Sequence, residues 1–361
     1  MTDGPVEVAW FSALCDDDYA QLGVVEPSLR SSWAHCRDIA LAADAHGFDN
    51  LLLPSGYALG IDGTTFAAGL APLLQRLHLL LAVRCGEVVV PQLARQLASL
   101  DQMLDGRLTV NIISSDLPGE SLASAPRYRR TLEIMQALRT LLDGQHLHID
   151  GEFLHLDIEP PSVRTTSGHA PALYFGGLSE PARAVAAEAA DVYLMWPDTM
   201  PAVHAIVDDL RARAAAHDRV LRFGYRVHVV VRETEAAARD AAFALVAALD
   251  DEEGRRIRER SLDSGSAGVA RQAELRDAAG DDGFVEDNLW TGIGRARSGC
   301  GAAIVGDPDQ VLSKLLAYRD LGIDAFILSG YPHLDECDLF ARHVLPMLDH
   351  RPLGLTTPPG R

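Results

Sequence analysis

Lysine is almost absent from this chain of 361 residues: Lys314 is the only one, and arginine supplies nearly all of the positive charge. The formal net charge is −19 at pH 7. Such an excess of negative charge argues against nucleic acids and anionic membrane surfaces as partners. An anionic ligand would have to be attracted by a local cluster of arginines, so arginines inside apolar segments are the residues to examine.

Cysteine is scarce and scattered, with five residues and no CxxC spacing, which excludes a disulfide framework and a zinc knuckle and fits a reduced cytoplasm. No apolar run reaches the length needed to span a membrane, and the polar, acidic residues 1–5 do not resemble a signal peptide. We therefore expect a cytoplasmic protein. No nucleophile elbow, Walker loop or paired-carboxylate signature is present. His146 and His148 form an HxH pair within a predicted hairpin, where alternation gives an ordinary amphipathic face, so we expect no metal site.

Strand-like and helix-like segments alternate along the chain. Eight apolar runs predict strands, at 6–11, 50–53, 78–83, 108–113, 172–175, 192–196, 222–231 and 325–328. Helical patterns lie between them and after the last. Eight βα units in about 350 residues predict a (β/α)8 TIM barrel. The alternative is a doubly wound sheet, which usually has a Gly-rich first turn, whereas residues 12–18 contain no glycine.

The predicted organisation is a single barrel domain over residues 1–350 and a flexible C-terminal tail over 351–361, which is rich in Pro and Gly. Insertions follow strands 4 and 7. Residues 114–127 form the first, residues 144–168 are expected to contain a hairpin before strand 5, and residues 250–288 are highly charged. The composition of the last segment favours a partly mobile lid; a surface loop without a role is the alternative.

Arg226 and His228 stand in the most informative segment, the apolar run 223–231. Because residues alternate along a strand, both side chains point to the same face. A buried arginine needs a partner, and in a pocket that partner is an anion. The alternative interpretation is an arginine neutralised by a core carboxylate, beside a core histidine.

Further candidates fall at the carboxyl ends of strands, where the active site of a TIM barrel lies. Trp196 ends strand 6, and Tyr331 follows strand 8. Gly176, Gly177 and Ser179 precede a helix, where free N–H groups can bind a phosphate, although a plain turn with Ser179 as N-cap would have the same sequence. Arg297 lies in a Gly-rich loop and could swing onto a bound anion; a solvated basic turn is the alternative.

Together these segments resemble the FMNH2-dependent alkanesulfonate monooxygenases of the bacterial luciferase-like superfamily. The resemblance covers residues 6–350, and its most specific segments are 173–177 (LYFGG), 193–196 (YLMW), 222–229 (RFGYRVHV), 288–294 (NLWTGIG) and 328–334 (LSGYPHL). It implies a TIM barrel that binds reduced FMN delivered by a separate NAD(P)H-dependent FMN reductase and uses O2 to break the C–S bond of a sulfonate, releasing an aldehyde and sulfite. Homodimers or homotetramers are implied as well.

By position, the resemblance assigns catalytic roles to Arg226, His228, Arg297, Tyr331 and Trp196. It implies cofactor binding by Gly176, Gly177, Ser179, Phe11 and Tyr128, and no metal. A different small anionic substrate, or a deazaflavin-dependent oxidoreductase of the same fold, remains an alternative.

The loops after strands 1 to 4 depart from the family. The family carries a His and small residues where this chain has 12–18, and a Cys near the flavin where 54–59 has none. The end of strand 3 reads RCGE over 84–87, and the insertion after strand 4 is shortened. If Asp16, Asp17 and Asp18 face inward, they favour a substrate with an anionic end and a polar or cationic remainder. The alternative is that all three face solvent.

Overall fold

Eight parallel strands close into a barrel in the computed structural model, which describes residues 4–57, 60–259 and 266–354. We number the barrel strands in chain order: β1 Glu7–Phe11, β2 Asn50–Leu53, β3 His78–Arg84, β4 Leu108–Ile113, β5 Leu173–Phe175, β6 Val192–Met195, β7 Arg222–Val231 and β8 Ala325–Ser329. Each strand pairs with the next one in sequence, and β8 pairs with β1, which closes the ring. The predicted TIM barrel is confirmed.

Helices cover the outside of the barrel, and most begin at an N-cap or a proline that the sequence displays. Asp307, for example, caps its helix with a full capping box. The α-helices are Trp33–His46, Gly63–Leu70, Val90–Met103, Ser124–Leu142, Glu180–Ala189, Met200–Ala215, Glu235–Val246, Asp251–Arg258, Ala267–Asp277, Pro308–Asp320 and His333–His343, and the 3-10 turns are Pro27–Leu29, Ala71–Leu73, Gly292–Arg295 and Leu345–Met347. No helix in the described part of the chain is long and apolar enough to cross a membrane.

Alternation along the strands separates two cores. Outward side chains such as Val8 and Trp10 pack against the helices, and inward ones such as Ala9, Leu80 and Ile327 fill the barrel. The inward row of β7 continues from Gly224 to Arg226 and His228, and that of β3 ends at Arg84. The same alternation that builds the apolar interior therefore delivers these polar side chains to the mouth of the barrel.

The predicted hairpin before β5 is present, as strands Leu147–Asp150 and His155–Ile158. The segment 250–288, predicted as a lid after β7, contains the helices Asp251–Arg258 and Ala267–Asp277 and the short strand Phe284–Glu286, and the short strand Leu289–Trp290 follows it. We call residues 250–299 the lid; residues 260–265 within it lie outside the described residues.

Ala303–Gly306 is a further strand that, like Phe284–Glu286 and Leu289–Trp290, was not predicted. It pairs in parallel with the second half of β7, from His228 to Val231. Because β7 has ten residues, its first half pairs with the barrel strands β6 and β8 and its second half pairs with Ala303–Gly306, the strand that follows the lid.

The predicted tail begins beside the barrel. The backbone N–H of Leu353 donates to Oε2 of the buried Glu7 at 2.9 Å, and the Leu353 side chain packs against the barrel interior. Residues 355–361 lie outside the described residues.

Candidate functional site

A cavity of about 550 Å³ opens at the carboxyl ends of the strands, between the barrel and the lid. Eight of the ten predicted site residues line it: Phe11, Tyr128, Gly176, Gly177, Ser179, Trp196, Arg226 and Arg297. His228 and Tyr331 do not line it and lie one layer behind. The cavity has the size expected for a small-molecule site, in the place where TIM barrels carry their active sites.

Arg226 is buried, and no carboxylate contacts it within the described part of the chain. Its Nη1 donates to the carbonyl oxygens of Val227 and Ile327 at 3.1 and 3.4 Å, and its Nη2 donates to Oγ of Ser329 at 2.8 Å. Its guanidinium lies 4.3 Å from the centroid of the Phe11 ring. Burial lowers the pKa of Arg226, and nearby Arg297 acts in the same direction. These neutral partners hold the side chain without cancelling its charge, so the alternative of a core carboxylate partner is wrong.

His228 is fully buried beside Arg226 and touches the same serine. Its Nδ1 lies 2.7 Å from Oγ of Ser329, and its ring stacks on Tyr331 with centroids 5.0 Å apart. Burial lowers the pKa of His228 well below the ordinary value, and the charge of Arg226 lowers it further. Because the Ser329 hydroxyl accepts from Arg226, its own proton can be donated to Nδ1 of a neutral His228.

Arg297 lies where the lid meets the loop after β1. Its Nη1 donates to Oδ2 of Asp17 at 2.9 Å and to the hydroxyl of Tyr331 at 2.6 Å. Burial opposes the charged form, yet Tyr331 and Asp17 outweigh it and raise the pKa of Arg297. Arg297 is thus charge-balanced by the chain itself, in contrast to Arg226.

The three aspartates after β1 do not all face solvent. Asp18 is buried and accepts from the backbone N–H of His333, with the ring nitrogens of His333 and His35 at 2.9 and 2.8 Å. Asp17 is the partner of Arg297. Side chains and a backbone N–H of the chain itself therefore already contact both of these carboxylates.

Trp196 is held at the edge of the cavity by two lid glycines. A Cβ on Gly268 would lie 2.9 Å from Cζ3 of the indole, and one on Gly299 would lie 3.0 Å from Cζ2. Behind Trp196, Asp198 forms a two-point ion pair with Arg271 at 2.7 and 2.8 Å. The lid is thereby fixed to the loop after β6, and the space for the indole exists because these two positions have no side chain.

The turn after β5 leaves polar groups without partners. The hydroxyl oxygen of Ser179 is buried and has no hydrogen-bond partner among the described residues, although Ser179 occupies the N-cap position of Glu180–Ala189. Gly177 has φ +150°, and a Cβ there would lie 2.7 Å from Cβ of Ala182 and 3.0 Å from the hydroxyl of Tyr128. Arg127, which the sequence analysis did not single out, lines the cavity, and its Nε is also buried without a partner. This combination of helix N-terminus, hydroxyl and guanidinium suits a phosphate.

Arg84, at the end of β3, is the second residue that the sequence analysis missed. It lines the cavity and is only 5% exposed. It ends an apolar strand as Arg226 interrupts one, so the argument that identified Arg226 could have identified it. Residues 84–87 were treated as a departure from the family instead.

His146 and His148, the HxH pair, lie on the exposed hairpin. His146 contacts Asp157 and Glu159 at 2.7 and 3.0 Å. His148 lies 3.5 Å from Asp157.

Comparisons with known proteins agree with this geometry. A family model described as luciferase-like monooxygenase matches residues 8–325. The sulfoquinovose monooxygenase of Novosphingobium aromaticivorans is 62% identical over 362 residues, covering 98% of this chain and 100% of that protein. The sulfoquinovose monooxygenase of Agrobacterium fabrum is 53% identical over 348 residues, covering 95% of this chain and 89% of that protein. Among solved structures, a long-chain alkane monooxygenase shares the fold, with a TM-score of 0.78 and 16% identity over 99% of this chain and 94% of the other. The chain therefore belongs to the luciferase-like monooxygenase family.

Proposed function

We propose that this protein is a two-component, FMNH2-dependent monooxygenase that breaks the C–S bond of a sulfonated sugar such as sulfoquinovose. The sulfonate, O2 and FMNH2 would give an aldehyde, sulfite, FMN and water. The alkanesulfonate named by the resemblance is broadened to an organosulfonate, because the two highly identical relatives carry the name of the sugar sulfonate.

Arg226 is the observation that carries the proposal. A buried guanidinium whose described partners are all neutral keeps its full charge, and an anionic group in the cavity would provide the missing counter-charge. A sulfonate and a departing sulfite are both anions, and a fixed cation in a water-poor site stabilises the second more as negative charge develops.

The turn after β5 fits the phosphate of FMN. Ser179 and Arg127 would donate to it, Tyr128 would border it, and the helix N-terminus would add free N–H groups. A side chain at Gly177 would fill this space. When bound, reduced FMN supplies the two electrons needed to activate O2.

The residues behind the cavity act through those that line it. We assign His228 and Tyr331 positioning roles: the first orients Ser329 beneath Arg226, and the second holds Arg297 against Asp17. Trp196 and Arg297 cover the cavity and exclude water, which strengthens the effect of Arg226.

The aspartates favour a polar over a cationic remainder of the substrate. Asp17 is balanced by Arg297, and Asp18 contacts His333 and does not line the cavity. Asp16 lines the cavity and accepts a hydrogen bond from the backbone N–H of Ser31. A neutral, hydroxylated remainder is compatible with this pairing. The proposal retains a separate NAD(P)H-dependent FMN reductase and a homodimer or homotetramer.

Sulfite release tests the proposal. Purified protein would be mixed with photoreduced FMN, aerated buffer and sulfoquinovose, and sulfite and the carbonyl product would be quantified. We expect sulfite in proportion to FMNH2 consumed, far less from Arg226→Gln, and none without O2. A parallel anaerobic titration with reduced deazaflavin tests the alternative function. Tight binding of deazaflavin, with no sulfite released under any condition, would indicate a deazaflavin-dependent oxidoreductase instead of a monooxygenase.

A further inference from the structure

A buried arginine with unused hydrogen-bond donors stands across the cavity from Arg226. Arg84 ends β3, and β3 and β7 lie four strands apart in the ring of eight, so they face each other. Nη2 of Arg84 donates to the carbonyl oxygen of Ser55 at 3.3 Å, whereas Nε and Nη1 are buried and make no hydrogen bond within the described residues.

Glu87 balances the charge of Arg84. The chain turns tightly at Gly86, which has φ +101°, and this turn returns Glu87 to within 3.2 Å of Nε of Arg84. Gly86 is required there by its positive φ and by Leu117, whose Cδ1 would lie 2.9 Å from a Cβ. Glu87 does not line the cavity, so it neutralises Arg84 from the side while the donor Nη1 is left without an acceptor.

The two arginines therefore differ in what they need. Arg226 has neutral partners and needs negative charge; Arg84 has a carboxylate and needs only an oxygen that accepts a hydrogen bond. A buried donor left unpaired is costly, and a ligand that supplies the acceptor removes that cost. Asn111, on the inward row of the neighbouring strand β4, lines the same wall and can both donate and accept.

We propose that Arg84 is a specificity-determining residue that binds hydroxyl oxygens of the substrate while Arg226 binds its sulfonate. This inference rests on the proposed function and adds that the wall of the cavity formed by β3 recognises the hydroxylated carbon skeleton of the substrate. A plain alkyl chain would leave the Arg84 N–H unpaired, so the site discriminates against alkanesulfonates and favours polyhydroxylated ones.

Substrate and inhibitor affinities separate the roles of the two arginines. KM and kcat for sulfoquinovose, the Ki of 1-hexanesulfonate against it, and the Kd of FMNH2 would be measured for the wild type, Arg84→Gln, Arg84→Lys and Arg226→Gln. We expect Arg84→Gln to raise KM for sulfoquinovose about tenfold or more, the loss of roughly one buried hydrogen bond. The Ki of 1-hexanesulfonate should stay within about twofold or improve, and the Kd of FMNH2 should not change. Arg226→Gln should weaken the binding of 1-hexanesulfonate as well as that of sulfoquinovose.

Arg130→Gln is the matched control. Arg130 is a buried arginine near the same turn, paired with Glu120 at 3.0 Å, and does not line the cavity. It should leave all of these constants unchanged, and Arg84→Lys, which keeps the charge, should retain the fold and lose less affinity than Arg84→Gln.

Two results would overturn the role of Arg84. Equal weakening of both sulfonates would assign it to the sulfonate, and weaker FMNH2 binding would assign it to the cofactor. If the wild-type protein releases no sulfite, the proposed function itself is wrong, and this outcome is distinct from a failure of the role of Arg84.

Discussion

Arg226 and Ser329 are joined by a hydrogen bond of 2.8 Å between neighbouring strands β7 and β8, and this bond fixes the one cavity arginine for which the described residues provide no carboxylate. Neutral partners of this kind orient a guanidinium and leave its charge available to a ligand.

Replacing Arg226 should abolish most of the turnover. Because a fixed charge in a dry site stabilises the departing anion, we expect Arg226→Gln to lower kcat/KM for sulfite release by roughly 100-fold or more, about 3 kcal/mol. The Kd of FMNH2 should change much less. Arg222→Gln is the control on the same strand, since Arg222 is exposed at the opposite end and pairs with Asp324. Normal turnover of Arg226→Gln would make this arginine structural.

Ser179 should distinguish FMN from riboflavin. If its unpartnered hydroxyl donates to the phosphate, Ser179→Ala should weaken FMNH2 binding by roughly tenfold to 100-fold, the value of one hydrogen bond to a charged group, and leave the binding of reduced riboflavin unchanged. Anaerobic fluorescence titration gives both constants. Ser32→Ala removes an N-cap on a helix that does not line the cavity and controls for helix destabilisation. Equal losses for the two flavins would place the phosphate elsewhere.

Much of this site could be predicted from the sequence because its parts are local. The run 223–231 predicts a buried strand, alternation places Arg226 and His228 on one face, and the glycines after β5 predict a phosphate turn. The pairs that complete the site are not local. Arg297 and Asp17 lie 280 residues apart, and Asp18 and His333 lie 315 apart. No pattern within either segment shows these pairs, so the orientation of the aspartates could only come from the structure.

The strand Ala303–Gly306 illustrates a second limit. It pairs with residues 228–231 only because β7 extends beyond the barrel. Its sequence is short, apolar and preceded by glycines, which also suits a buried loop.

The two-point ion pair between Arg271 and Asp198 should hold the lid closed. Asp198 is buried, so Arg271→Met leaves a buried carboxylate unpaired, and we expect faster limited proteolysis within residues 250–299. The intrinsic tryptophan fluorescence of the protein, to which Trp196 contributes, should also differ between Arg271→Met and the wild type. Arg256→Gln is the lid control, because Arg256 is exposed and pairs with nearby Glu253 within its own helix. Identical cleavage of Arg271→Met and wild type would show that this pair does not restrain the lid.

A side chain added at Gly268 should clash with the indole ring of Trp196. Gly268→Ala would place a Cβ 2.9 Å from the indole, and overpacking of this kind costs about 1–3 kcal/mol. The free energy of unfolding by urea would measure the loss. Trp196→Phe removes the clashing ring atoms, so the same substitution should cost clearly less in a Trp196→Phe background. Since alanine favours helix conformation over glycine, a cost that does not depend on residue 196 would mean that the indole is not the group that excludes a side chain at position 268.

His228 should make the protein less stable as the pH falls. Its pKa in the folded protein lies well below 6.5 because burial and Arg226 oppose protonation, whereas in the unfolded chain it titrates near 6.5. Below that pH the unfolded state binds a proton at His228 and the folded state does not, so the free energy of unfolding decreases as the pH falls. For one such group the loss between pH 7.5 and 5.5 is about 1.4 kcal/mol. Asparagine at position 228 can keep a hydrogen bond to Ser329 and cannot titrate, so the wild type should lose about this much more than His228→Asn over that interval in urea unfolding. Equal pH dependence of the two proteins would mean that His228 takes up a proton as readily in the folded protein as in the unfolded chain, and its proposed role as a neutral support for Ser329 and Arg226 would then be wrong.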